Sequence, residues 1–150
     1  MKTIVVDASV AIKWFIPEVH AISATRLLHM NLQFVVPDLI FAEVGNILWK
    51  KYRSKELTLD TASAILDDFK RLPFNSYENE SLLDTAWQIA TAHQCTVYDS
   101  LYVALAQTEG CLLVTADRAL HNTLSTTHLA RLLLWVEDIK IPVACHGESS

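Results

Sequence analysis

Apolar positions along this chain follow two alternating rhythms. The first is the short β-branched run. Thr3-Ile4-Val5-Val6 closes on Asp7 and predicts a buried strand over residues 2–7. Similar runs predict strands at 33–36, 111–115 and 132–136, with a weak one at 73–77. The second rhythm has a period near 3.6. Residues 8–15 read as a short helix stopped by Pro17, and 19–30 as a helix with Val19, Ile22, Leu27 and Met30 on one side. A helix starting at Pro37-Asp38 and running to about 53 turns Ile40, Val44, Ile47, Leu48 and Tyr52 inward. Residues 58–72 form another, capped by Thr58 and striped by Ala62, Ile65, Leu66, Phe69 and Leu72. Further helices are predicted at 81–93, at 100–109 before Gly110, and at 118–124.

Strands alternating with helices predict an α/β fold. The expected form is a mostly parallel central sheet of four to five strands with helices on both faces, three layers in all. No linker or repeat divides the chain. Residues 1–143 read as one domain, and 144–150 as a polar, frayed tail.

Composition narrows the class. With 51% hydrophobic and 19% charged residues, the chain is globular. No apolar run reaches the roughly 18 residues of a membrane span, and no leader pattern opens the chain, so a cytoplasmic protein is expected. Cys95, Cys111 and Cys145 lack the spacing of a zinc site or a disulfide framework. The six histidines are scattered. A net charge of −5 argues against electrostatically driven binding to nucleic acid, which needs a basic face. Two bound divalent cations would cancel most of it, and Lys50, Lys51, Arg53 and Lys55 are clustered.

Four carboxylates carry the chemistry. Asp7 closes the first strand, Asp99 opens a helix after Thr96-Val97-Tyr98, and Asp117 follows Leu112-Leu113-Val114-Thr115-Ala116. Groups just past strand carboxyl ends converge on one crevice in an open parallel sheet. Glu43 sits inside the apolar run Leu39-Ile40-Phe41-Ala42-Glu43-Val44. With Asn46 and Lys50 it makes a narrow polar stripe, and Gly45 beside it permits a close approach. Each aspartate alone also reads as a helix cap, and Glu43 as a solvent-facing residue. Gathered together, the acids would repel unless cations neutralised them, and hard oxygen donors suit Mg²⁺ or Mn²⁺. That donor set fits metal-assisted phosphodiester hydrolysis without a side-chain base. Ser9, Ser100 and Thr115 are candidates to orient water.

The segments Ile4-Val5-Val6-Asp7-Ala8-Ser9 and Val36-Pro37-Asp38-Leu39-Ile40-Phe41-Ala42-Glu43-Val44-Gly45-Asn46 resemble the PIN domain. So do Val97-Tyr98-Asp99-Ser100-Leu101-Tyr102-Val103-Ala104-Leu105-Ala106 and Leu112-Leu113-Val114-Thr115-Ala116-Asp117-Arg118-Ala119-Leu120. The resemblance spans roughly residues 2–136 and is strongest to VapC-type toxins of bacterial toxin–antitoxin pairs. It implies a PIN-like α/β/α fold with the first strand central. It also implies a Mg²⁺- or Mn²⁺-dependent endoribonuclease acting on RNA, often a homodimer, held by a small antitoxin. The acidic quartet carries over onto Asp7, Glu43, Asp99 and Asp117, and the polar residue at the fourth strand's end onto Thr115.

On this reading Asp7 and Asp99 are the main metal ligands, and Glu43 and Asp117 complete the site. Ser9, Thr115 and Asn46 support it, and Lys13, Lys50 and Arg118 contact phosphate. Trp14, Phe15 and Trp49 are candidate partner contacts. The rivals are a housekeeping RNA-processing nuclease without an antitoxin, and a non-catalytic binding or scaffold protein of the same fold. A haloacid-type phosphatase wants a second aspartate where this chain has Ser9.

Overall fold

Val5 and Val6 are adjacent on the first strand, so their side chains point to opposite faces of the sheet. Both are fully buried. Helices must therefore cover the sheet on both sides, which is the three-layer α/β/α arrangement expected. The structure, a computed structural model, describes residues 1–140. The expected domain end at 143, the tail 144–150 and Cys145 lie outside the described residues.

The sheet has five strands: β1 (Lys2–Val6), β2 (Leu32–Pro37), β3 (Asn75–Tyr77), β4 (Leu113–Thr115) and β5 (Leu133–Trp135). All pairs are parallel and the order is β3-β2-β1-β4-β5. The chain moves outward from β1 to one edge, then returns to the other side of β1 to build β4 and β5. The reversal point lies between β1 and β4, where a doubly wound sheet opens a crevice at its carboxyl end.

Seven α-helices lie among the described residues: α1 (Ala8–Ala11), α2 (Ala21–Thr25), α3 (Leu39–Arg53), α4 (Leu59–Lys70), α5 (Asn79–His93), α6 (Val97–Glu109) and α7 (Arg118–Leu124). Thr58 caps α4 by accepting from the Thr61 N–H, as the sequence predicts. Gly110, at φ 62°, ends α6 in the left-handed conformation that glycine adopts without strain. Helix α6 is the central helix. Its residues Ser100 to Ala106 are all buried, and it packs on β1, β2 and β4.

The expected helix 19–30 is the main departure. Only α2 and a short 3₁₀ turn (Arg26–His29) form there. His20 adopts φ 70°, a left-handed conformation costly for a side-chain-bearing residue. Its Nδ1 meets Glu137 at 2.8 Å, and Ser23 donates to the same carboxylate at 2.6 Å. This long-range anchor breaks the predicted stripe, leaving Val19 73% and Ile22 81% exposed. On α3, Tyr52 is exposed rather than inward, while Ile40, Val44 and Leu48 are buried as expected.

Candidate active site

Asp7 leaves the carboxyl end of β1 and is only 6% exposed. An isolated buried carboxylate is costly, so it needs partners. Its Oδ1 accepts from Ser9 Oγ at 2.5 Å and from the Val10 N–H at 3.2 Å; its Oδ2 accepts from Thr115 Oγ1 at 2.5 Å. These donors use about three of the roughly four lone-pair positions of a carboxylate. Burial nonetheless dominates. It pushes the Asp7 carboxyl up to about 6, against the three hydrogen bonds, and the Asp117 charge adds to the rise.

Ser9 and Thr115 also tie the site to the turn after β4. Ser9 Oγ accepts from the Ala116 N–H, and Thr115 Oγ1 from the Asp117 N–H, each at 3.0 Å. Asp117 caps α7 through its Oδ1, which accepts from the Leu120 N–H at 3.1 Å. Capping and membership of the acidic cluster therefore coexist at Asp7 and at Asp117.

Asp99 is different. Thr96 caps α6, accepting from the Asp99 N–H at 3.0 Å, and Asp99 sits inside the first turn. The helix begins three residues earlier than the sequence suggests, so the capping alternative for Asp99 falls away. Burial, then the Asp117 charge, raises its carboxyl. Glu43 projects from α3 and accepts a hydrogen bond from the Tyr102 hydroxyl. Burial raises it first, opposed by that hydrogen bond, with the Asp99 and Asp117 charges adding to the rise.

These side chains line one cleft of about 270 Å³, together with Ala8, Ser9, Asn46, Ile47, Lys50 and Tyr102. The stripe Glu43, Asn46, Lys50 faces it as one edge. Thr115 lies behind, fully buried, holding Asp7.

Other expected site residues are placed elsewhere. The Lys13 ammonium pairs with Glu18 at 2.9 Å and does not line the cleft. The Arg118 guanidinium stacks 3.7 Å from the Trp135 ring centroid, a cation–π contact outside the cleft lining. Ser100 is fully buried beside Cys95 Sγ at 3.1 Å. Gly45 faces open space rather than a close neighbour. Trp14 is packed inward against Phe34 and Phe74, its Nε1 donating to the Ala24 carbonyl, and Phe15 packs on Phe69. Both are half-buried, whereas Trp49 is 52% exposed.

Sequence reasoning passed over Tyr102. The signal was present: Tyr102 lies three residues after Asp99 and shares its helix face.

The donor set is all oxygen, as a hard divalent cation requires. Among the described residues no three acids stand close enough to grip one ion by themselves. That geometry fits Mg²⁺-like binding, in which one or two carboxylates hold an ion that keeps several waters and takes substrate phosphate oxygens. Asp7, Asp99, Glu43 and Asp117 are the residues able to hold it.

Known proteins resemble this chain over most of its length. A family model described as PIN domain matches residues 4–123. A Pyrobaculum aerophilum protein named Ribonuclease VapC3 is 39% identical over 121 residues, covering 78% of this chain and 91% of that protein. The crystal structure of PAE2754 from Pyrobaculum aerophilum superposes with a TM-score of 0.64 at 27% identity, covering 87% of this chain and 89% of the other. A toxin–antitoxin complex from Klebsiella pneumoniae superposes with a TM-score of 0.59 at 17% identity, covering 90% and 98%; this last likeness is one of fold.

Proposed function

This chain belongs to the PIN-domain family, and on that premise we propose that it is a metal-dependent endoribonuclease hydrolysing RNA phosphodiester bonds, the toxin of a toxin–antitoxin pair. The observation that carries the reading is the cleft itself. Four acids from distant parts of the chain meet at the sheet's reversal point, with burial and mutual charge raising three of them. Such repulsion between like charges is relieved by a cation. The relative named a ribonuclease supports RNA as the substrate class.

In this reading Asp7 and Asp99 are the main ligands of Mg²⁺ or Mn²⁺, and Glu43 and Asp117 complete the site directly or through the ion's waters. When bound, the ion supplies positive charge that polarises the scissile phosphate and activates an attacking water. The chain's own residues do the rest. Ser9 and Thr115 fix both oxygens of Asp7, so its orientation is set before substrate arrives. Asn46 and Lys50 border the same cleft, where Lys50 meets a phosphate of the RNA. No helix among the described residues is long and apolar enough to cross a membrane, and we place the protein in the cytoplasm. A small antitoxin and a second copy of the chain are the expected protein partners, and exposed Trp49 is a candidate contact.

Pure protein tests the reading. It should cleave single-stranded RNA with Mg²⁺ or Mn²⁺, lose that activity in EDTA, and regain it when metal is restored. Full cleavage in EDTA would overturn it.

A further inference from the structure

Tyr102 lies in the most deeply buried stretch of the chain, on α6, and is only 1% exposed. Its neighbours Leu101, Val103, Ala104, Leu105 and Ala106 are apolar and buried. A phenylalanine would fill the same space without a polar atom. A buried hydroxyl must find a partner, and this one has a single side-chain partner among the described residues: Glu43, 59 residues away on α3. Tyr102 also lines the acidic cleft, together with Ala8 at the start of α1.

Resting on the ribonuclease reading above, we propose that Tyr102 is a positioning residue that sets the orientation of Glu43 in the metal site. Its hydroxyl donates to Oε1 of Glu43. Oε2 has no protein partner among the described residues and remains for a cation. A glutamate on a helix has three rotatable side-chain bonds and, beside Asp99 and Asp117, is driven away by repulsion. The tie to Tyr102 holds it in the cleft against that force. Burial first, then the charge of Glu43 and their hydrogen bond, push its ionisation far above the ordinary phenol range, so it keeps the proton it donates, although a backbone hydrogen bond from Ala8 opposes the rise. Because α6 also carries Asp99 one turn earlier, the bond fixes Glu43 to the same rigid element that presents Asp99.

Tyr102→Phe keeps the ring and removes the hydroxyl. Three variants test the proposal: Tyr102→Phe, Glu43→Gln, and both together. Each is read by thermal unfolding in EDTA and across a Mn²⁺ titration, and by kcat and KM on single-stranded RNA. Tyr102→Phe should fold in EDTA and need about tenfold more Mn²⁺ for half of its thermal stabilisation, as loss of an outer partner of a metal ligand does. Its kcat should fall about tenfold while KM for RNA holds. The double variant should be no worse than Glu43→Gln, because Tyr102 acts through Glu43. An unchanged Mn²⁺ response and kcat in Tyr102→Phe, with Glu43→Gln impaired, would overturn the positioning role alone. So would a double variant that loses a further tenfold, or a Tyr102→Phe protein that does not fold in EDTA. Wild-type protein that neither responds to Mn²⁺ nor cleaves RNA would instead remove the ribonuclease reading itself.

Discussion

Thr115 and Asp7, 108 residues apart in the chain, are joined by a 2.5 Å hydrogen bond from hydroxyl to carboxylate. The same hydroxyl accepts from the Asp117 N–H. One buried side chain thus orients one acid directly and fixes the backbone of another.

Thr115→Val retains shape but removes both bonds. It leaves an Asp7 oxygen and the Asp117 N–H short of a partner. Unfolding in urea should show a loss of about 1–3 kcal/mol, and RNA cleavage should fall. Thr115→Ser keeps the hydroxyl and should recover most of the activity. If valine were as active as threonine, the hydroxyl would have no part in the site.

The metal-free protein should lose stability as pH rises. The folded Asp7 carboxyl stands at about 6, above its ordinary 3.8. Between those values the native state holds a proton that the unfolded chain has released. Stability contributed by the protonated form is therefore full below about pH 4 and is lost as pH climbs through about 6. At about 1.4 kcal/mol per pH unit the effect is on the order of 3 kcal/mol. Glu43 and Asp99 are raised too and act in the same direction. Urea unfolding in EDTA at several pH values, wild type against Asp7→Asn, isolates the Asp7 share. Parallel curves for the two proteins would count against it.

Asp99→Asn should leave the metal-free protein at least as stable as wild type. Thr96, not Asp99, caps α6, and the change removes repulsion from Asp117. Wild type should gain about 2.7 kcal/mol when free Mn²⁺ is a hundredfold above its dissociation constant. Asp99→Asn should gain much less. Equal gains by thermal unfolding would remove Asp99 from the ligand set.

Two lysines give a paired prediction. Lys50 lines the cleft, whereas Lys13 is committed to Glu18. Lys50→Ala should raise KM for RNA several-fold and flatten its salt dependence, with stability within about 0.5 kcal/mol of wild type. Lys13→Ala should leave KM alone. The reverse pattern would exchange their roles.

Much of this protein was legible in its sequence because short-range rules govern it. The β-branched run before Asp7 gave β1, and its place in an alternating pattern gave a parallel sheet. The spacing of Glu43, Asn46 and Lys50 put them on one helix face, since an α-helix fixes which residues are neighbours. Long-range contacts decided the remainder. His20 turns left-handed to reach Glu137, so the predicted helix over 19–30 broke. Lys13 and Arg118 found Glu18 and Trp135 instead of facing the cleft. Only the folded sheet set Thr115 against Asp7 and Tyr102 against Glu43. Periodicity specifies which face a residue shares; which distant side chain meets it there is fixed by packing, where burial forces every polar group to find a partner.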